Sequence, residues 1–328
     1  MDFELTEVQH SWREKARALG RELADDAAAA DVIMGAARVG LIDPNADLPA
    51  VALAVEALSC ASASAGMTVA LHTTTLLAGL RHGDGGQPFA PYADAMARGE
   101  TVGAIALTSE DVPAVDNGKL SGRAAWVGPV TERGVAIVGA RTGSKVIACA
   151  VALDSHGVHV TEVRTSALRG FVWAYVMFAG APCIASAETT HIMAVARTLI
   201  ASAALGIGDR ALRESLSVAT RQHGAGGEQT VQGLLADTAT ELEAARMLTW
   251  QAAAQGADVS LAAASLAKLA ATTAAQAAVM RATQVVGVDS FRQGHVIERL
   301  TQDVRAIELF AGRTEALREA VADEELRQ

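Results

Sequence analysis

The chain has 328 residues, enough to bury a large core in one domain or in two or three packed layers. Its net charge of −10 argues against a nucleic-acid-binding protein, because no surplus of basic side chains is present to neutralise phosphates. Hydrophobic residues make up 51% of the chain but aromatic residues only 4%. Much of the apolar content is alanine, so the composition favours a largely helical protein.

The same features predict a soluble cytoplasmic protein. Cys60, Cys149 and Cys183 are scattered without metal-ligand spacing, which suits a reducing compartment and predicts no metal site. The first residues lack the basic and apolar regions of a signal peptide. We also expect no membrane span, because by this interpretation no stretch supplies the roughly 20 apolar residues that a span needs.

Residues 1–100 show helical periodicity throughout. Thr6 is placed to cap a helix that begins at Glu7, and Gly40 is placed to end the second helix. Pro49 fits the first turn of a third helix. His72 lies on an apolar helix and is interpreted as a core histidine. We therefore predict an N-terminal helical domain over 1–100.

The pattern changes to short apolar runs separated by glycine turns between residues 101 and 182. Turn signals such as Asn117-Gly118 and His156-Gly157 separate runs of strand length. Such spacing is typical of a compact antiparallel barrel or sandwich, which we predict as a middle β domain over 101–182. From residue 183 the helical period returns and predicts a C-terminal four-helix bundle over 183–328. Its predicted helices are Thr190–Arg221, Val231–Gln255, Leu261–Val286 and Val296–Ala322.

The segment 298–315 resembles the C-terminal signature of acyl-CoA dehydrogenases, a family of FAD-dependent enzymes. Glu298, Arg299, Asp303, Arg305, Gly312 and Glu315 fall where that signature has the same residues. Further resemblances follow in order along the chain, at 104–108, 120–128, 221–232, 235–246 and 284–287. The resemblance implies the family's fold, which is α+β and mainly α: an N-terminal helical domain, a middle antiparallel β domain and a C-terminal four-helix bundle.

The chain departs from the family at the catalytic base. Desaturating an acyl thioester requires a carboxylate that removes the α-proton while a hydride leaves for the flavin. Where the family has its tyrosine and glutamate, this chain has Phe310 and Ala311, and the alternative base position on the first bundle helix matches Arg197. Neither alanine nor arginine accepts a proton. Glu308, one helical turn before Ala311, is open to two interpretations: a relocated base, or a solvated or salt-bridged glutamate.

The resemblance also implies which residues contact FAD. Leu107 and Thr108 end the strand whose backbone meets the flavin ring, and Trp126 is either a flavin-stacking residue or a core aromatic. Gly128 replaces a threonine whose hydroxyl bonds the flavin. The family residues that reach the FAD of a neighbouring subunit match Arg221, His223, Gln284 and Gly287. Arg221 has an equally good alternative as a cation that stabilises a helix C-terminus.

Three functions are consistent with these residues. The first is a base-less subunit that pairs with a catalytic acyl-CoA dehydrogenase paralogue as an α2β2 assembly and shares FAD that the paralogue mainly holds. Heteromeric enzymes of this kind in actinobacterial steroid-degrading systems resemble what the sequence implies, so a steroid-derived acyl-CoA is a candidate substrate. The second is a self-sufficient flavoenzyme with a relocated carboxylate such as Glu308. The third is a flavin-free binding or scaffold protein with the same fold.

Overall fold

The computed structural model describes residues 4–82, 89–107, 111–223 and 228–327. Five helices come first, followed by a sheet and then a second group of helices. The first group is α1 (Glu7–Glu22), α2 (Ala29–Arg38), α3 (Leu48–Ala61), α4 (Ala63–His82) and α5 (Ala90–Ala97). The second group is α6 (Thr189–His223), α7 (Gln229–Ala254), α8 (Leu261–Val286), α9 (Val296–Leu309) and α10 (Thr314–Glu325). The predicted fold class is confirmed.

Local sequence signals explain several element ends. The Thr6 hydroxyl accepts from the Gln9 backbone N–H at 3.2 Å, and the Gln9 side chain accepts from the Thr6 N–H at 3.0 Å. This reciprocal capping box starts α1. Asn117 and Gly118 both have positive φ, 49° and 71°, as the tight turn between the strands Ala114–Asp116 and Lys119–Val127 requires.

The sheet is mixed, which corrects the expectation of a wholly antiparallel domain. Its strands are β1 (Val102–Ala106), β2 (Ala114–Asp116), β3 (Lys119–Val127), β4 (Gly134–Thr142), β5 (Lys145–Ala152), β6 (Val158–Val163), β7 (Trp173–Pro182) and β8 (Ala185–Ala187). The strand order is β6-β7-β3-β2-β4-β5-β8. β1, which follows α5, pairs with β4 in parallel, and Val102 lies opposite Gly134.

The helix predicted over Val296–Ala322 is two helices. α9 ends at Leu309, and Phe310 takes an extended conformation with φ −76° and ψ 148°. Ala311 and Gly312 then have φ of 55° and 107°, which no α-helix contains. A break at the family's base position therefore separates α9 from α10.

The bundle brings the C-terminal ends of α6 and α8 to one place. α6 contacts α8 through Arg197 and Ser265, and again where a Cβ on Gly208 would lie 3.4 Å from the Ala275 Cα. The difference in residue number between the two contacting residues is nearly the same in both contacts. Residue numbers therefore increase in the same direction along both helices, and the helices run parallel. The last turns of α6 and α8 consequently lie at the same end of the bundle.

Burial accounts for the apolar character of α6. The segment Thr189–Arg221 is long and apolar enough to cross a membrane, contrary to the expectation that no stretch is, but 94% of its most apolar window is buried inside the protein. A Cβ on Gly206 would lie 2.3 Å from the Glu56 carbonyl oxygen of α3, so glycine is required for the two helices to approach this closely. α6 is thus the central helix of the core.

Candidate functional site

The turn between α9 and α10, residues 310–313, is held by the ammonium of a buried lysine. Lys268 Nζ donates to the carbonyl oxygens of Glu308 at 3.0 Å, Phe310 at 2.5 Å and Gly312 at 2.6 Å. The last carbonyls of a helix have no partner inside the helix and carry the negative end of its dipole. Lys268 Nζ satisfies three of these carbonyls by hydrogen bonding.

A second cation completes this group of contacts. Arg197 Nε donates to the Ala311 carbonyl at 3.0 Å, and its Nη1 donates to the Ser265 hydroxyl at 2.7 Å. The structure therefore brings together Arg197 and Ala311, the two residues that match the family's alternative base positions. We call Arg197, Lys268 and the four carbonyls of residues 308 and 310–312 the cation–carbonyl cluster.

Neither cation of this cluster is suited to remove a proton. Burial lowers the pKa of Arg197 to about 10, so the guanidinium stays charged at neutral pH. Burial, with repulsion from Arg197, lowers the pKa of Lys268 to about 7, and Glu308 opposes that shift. An ammonium has three protons, and in Lys268 all three are donated to backbone carbonyls. Lys268 is completely buried, so its contacts are structural.

Glu308, the carboxylate proposed as a relocated base, is already engaged. Its Oε2 lies 2.8 Å from Arg305 Nη1, and its Oε1 accepts from the Thr314 hydroxyl at 3.0 Å. Both partners belong to α9 and α10, so the side chain links the two helices across the turn. Of the two interpretations of Glu308, this geometry favours the salt-bridged one.

Aromatic side chains connect the sheet directly to the turn. Trp173 on β7 lies 4.9 Å from Phe310 and 4.5 Å from Phe171, measured between ring centroids. Trp126 makes edge contacts with Trp173 at 6.1 Å and with Tyr175 at 5.9 Å. We call these five residues the aromatic cluster. It is continuous from the bundle to the sheet.

Gly128 cannot carry a side chain in this arrangement. A Cβ there would lie 2.4 Å from Phe171 Cε1 and 2.9 Å from Trp173 Cε3, closer than carbon atoms approach. The position of the family's flavin-binding threonine is therefore filled by rings of the aromatic cluster.

The remaining predicted contacts divide between the sheet and the bundle end. Leu107 follows β1 and is half-buried, Trp126 is 46% exposed, and Thr108 lies outside the described residues. Arg221 is exposed in the last turn of α6, where its Nε donates to the Ser217 carbonyl at 3.2 Å. That contact fits the interpretation of Arg221 as a helix-terminal cation.

The other residues predicted to lie at this end of the bundle are at the ends of α6 and α8. Gln284 is exposed near the end of α8, and Gly287 ends that helix. His223 is the last residue of α6, and its side chain lies outside the described residues. In the part of the chain that the structure describes, no group of three or more metal-ligating side chains comes together.

Sequence reasoning missed Lys268 and Trp173. A signal for Lys268 was present, because Ala264, Ala271 and Ala275 recur at helical spacing with it and place it on the buried face of α8. A lysine on such a face needs partners. Trp173 had no comparable signal, since its contact with Phe310 joins distant parts of the chain.

Comparison with known proteins gives the same assignment as the fold. The model of the acyl-CoA dehydrogenase C-terminal domain matches residues 186–326. The human mitochondrial short-chain specific acyl-CoA dehydrogenase is 27% identical over 315 residues, covering 86% of this chain and 76% of that protein. Over residues 186–326 the chain therefore matches the acyl-CoA dehydrogenase family. This is a family of oxidoreductases.

Solved structures of the family share the fold over the whole chain. Butyryl-CoA dehydrogenase from Megasphaera elsdenii superposes with a TM-score of 0.87 at 17% identity, covering 100% of both chains. Glutaryl-CoA dehydrogenase from Mycobacterium smegmatis superposes with a TM-score of 0.88 at 18% identity, covering 99% of this chain and 96% of that one. The latter enzyme is also known in complex with FADH2.

One position that the resemblance places at a flavin ring, Gly128, lacks the side chain for that contact. The hydroxyl expected at Gly128 is replaced by hydrogen, and the space for any side chain there is taken by Phe171 and Trp173. Trp173 also contacts Phe310 directly, so the sheet and the bundle meet through aromatic rings. The residues that match contacts to a neighbouring subunit's cofactor lie elsewhere, at the bundle end.

Proposed function

We propose that this chain is the base-less subunit of a heteromeric acyl-CoA dehydrogenase, in which a paralogue supplies the catalytic glutamate and mainly holds FAD. The cation–carbonyl cluster is the observation that carries the proposal. At the positions that match the family's base, Ala311 has no proton-accepting group and Arg197 is a buried cation, and Lys268 donates to the backbone beside them. Glu308, a carboxylate next to this cluster, has its Oε2 2.8 Å from Arg305 Nη1 and its Oε1 accepting from the Thr314 hydroxyl.

The end of the bundle supports a role toward a partner. Arg221 and Gln284 are exposed there, beside Gly287 at the end of α8. Two large apolar side chains follow, Val288 with 85% and Phe291 with 74% of its surface exposed. We call these five residues the partner face. Exposed apolar side chains next to polar ones are typical of protein interaction sites.

The substrate of the assembly is proposed to be an acyl-CoA thioester, with a steroid-derived acyl group as the candidate that the resemblance suggests. An α2β2 assembly is proposed on the same basis. The self-sufficient alternative has less support, because the two oxygens of Glu308 lie against Arg305 and Thr314.

Co-expression with a glutamate-bearing paralogue tests the proposal. We expect the two chains to co-purify and to oxidise an acyl-CoA with an artificial electron acceptor, whereas this chain alone does not. Turnover by this chain alone contradicts the proposal. Co-purification without turnover, when the paralogue alone is active, indicates a scaffold protein instead.

Matched variants test the partner face. Phe291→Asp places a charge on an exposed apolar position of the partner face and should reduce co-purification at least tenfold. Val8→Asp makes the same kind of change at a 58% exposed position on α1, and it should leave co-purification unchanged. Equal effects of the two changes exclude this surface as the interface.

A further inference from the structure

A cavity of about 640 Å³ lies between α1, α3, α6 and α7, away from the site described above. Its lining includes no residue of the cation–carbonyl cluster, the aromatic cluster or the partner face. Six arginines and four carboxylates line it, which gives it a net charge of +2 in a protein of net charge −10. We call it the arginine cavity.

The arginines come in rows from two helices. Arg13, Arg17 and Arg21 are spaced four residues apart, so they lie along one side of α1. The row spans about 12 Å at 1.5 Å per residue. Arg210 and Arg213 are three residues apart on α6 and line the same cavity. The fold thus directs guanidinium groups from separate elements toward a common space.

Three of the four carboxylates in the cavity form ion pairs with one residue, Arg246. Arg246 contacts Glu56 at 2.9 Å, Asp209 at 2.8 Å and Glu243 at 2.5 Å, and it is only 8% exposed. These three carboxylates and Arg246 form a closed network at the side of α7. They are not paired with the arginine rows.

Several arginines of the rows have no acidic partner. Within the described ranges, no carboxylate lies within 4.0 Å of the side-chain nitrogens of Arg21, Arg210 or Arg213. Arg17 pairs with Glu14 at 2.7 Å. Arg13 Nε lies 4.0 Å from Glu14, beyond hydrogen-bond distance.

Two buried donors in the lining also lack an acceptor. Arg13 Nε and Trp250 Nε1 are shielded from solvent and make no hydrogen bond to any described residue. Buried N–H groups are nearly always paired in folded proteins. Unpaired donors on two different helices around one cavity are available to an acceptor from outside the chain.

We propose that the arginine cavity binds a small polyanion that carries two or more phosphates, of nucleoside-diphosphate size. A planar guanidinium offers parallel N–H donors that match phosphate oxygens. The α1 row is longer than a single phosphate group, so it fits a chain of phosphates. The volume lies within the range of small-molecule sites, about 300–1,000 Å³.

Binding there would connect α1 to α6 through the ligand, because each helix supplies part of the arginine lining. A ligand that binds only the folded chain raises its thermal stability by mass action. Ligand binding at this site is therefore expected to raise the melting temperature and to give a measurable heat of binding.

Titration calorimetry of the full chain tests the proposal with ADP, inorganic pyrophosphate and adenosine at one ionic strength. ADP and pyrophosphate should bind saturably at one site and raise the melting temperature, and adenosine should do neither. Tighter binding of ADP than of pyrophosphate indicates that the base is also recognised, and equal affinity indicates that the phosphates alone are. Absence of saturable binding by both phosphate compounds overturns the proposal.

Charge-matched variants separate the cavity from general electrostatic attraction. Arg210→Gln combined with Arg213→Gln should weaken ADP binding at least tenfold. Arg318→Gln combined with Arg327→Gln removes the same charge from α10 and the C-terminal residues that follow it, and should not weaken binding. Equal losses in the two double variants contradict a specific site. Arg21→Gln, at an exposed position on α1, provides the same test if the first variant does not fold by circular dichroism.

Discussion

Replacing Lys268 with methionine tests how strongly the cation–carbonyl cluster holds the turn. The change leaves three buried carbonyl acceptors, of Glu308, Phe310 and Gly312, without their donor. Each unsatisfied acceptor costs about 1–3 kcal/mol. Relief of the repulsion between Lys268 and Arg197 offsets part of that sum, so we expect the free energy of unfolding to fall by about 3–5 kcal/mol.

The effect of this change should depend on pH. Burial lowers the pKa of Lys268 to about 7, whereas lysine in the unfolded chain titrates near 10.5. Between these values the unfolded chain binds a proton that the folded chain has released. Lys268 therefore makes the free energy of unfolding rise with pH, by about 1.4 kcal/mol per pH unit across this window.

Urea unfolding at pH 7 and pH 9 measures both effects. The loss caused by Lys268→Met should be larger at pH 9 by about 2.3 kcal/mol, because the variant lacks the titrating group. Lys145→Met, at an exposed position, is the matched control and should change stability by less than about 0.5 kcal/mol. A loss below about 1 kcal/mol refutes the structural role of Lys268. An equal loss at the two pH values refutes the assignment of a lowered pKa.

Three further variants test the site and the core. Ala311→Glu should give no acyl-CoA oxidation by this chain alone, because Arg197 lowers the pKa of a neighbouring carboxylate by about 1–3 units and weakens it as a base; measured turnover by that variant contradicts this. Gly128→Thr should destabilise the fold by about 3 kcal/mol or more through overlap with Phe171 and Trp173, whereas Gly233→Ala, in an open helical position, should be stabilising by about 0.5–1 kcal/mol in urea unfolding. Burial lowers the pKa of His72 to about 3. Between pH 6.5 and pH 3 His72 therefore takes up a proton only in the unfolded chain. The free energy of unfolding should decrease by about 1.4 kcal/mol for each unit by which the pH is lowered in this range. His72→Gln should remove that part of the slope; an unchanged slope means that His72 is not buried as a neutral group.

Much of the fold could be predicted because its signals are local. The capping pair of Thr6 and Gln9, the Asn117-Gly118 turn and the helical period of α8 are each encoded within a few residues. The parallel pairing of β1 with β4 was not predictable in this way, because 27 residues separate the ends of the two strands along the chain.

The candidate site was only partly predictable, for a related reason. The lack of a base at Ala311 and Arg197 follows from residue types alone, and the structure adds that both lie in one cluster. The turn after Leu309 is contacted by Lys268, which is 40 residues away from Glu308 and donates to its carbonyl. Likewise, Gly128 indicates a missing hydroxyl in the sequence, but only the fold shows that Phe171 and Trp173 fill its place.

The flavin content of the purified proteins tests the central claim most directly. The account predicts that this chain purified alone is colourless, and that its complex with a glutamate-bearing paralogue contains flavin with the absorbance of bound FAD. One flavin per chain in the protein purified alone, retained through gel filtration, would contradict the account.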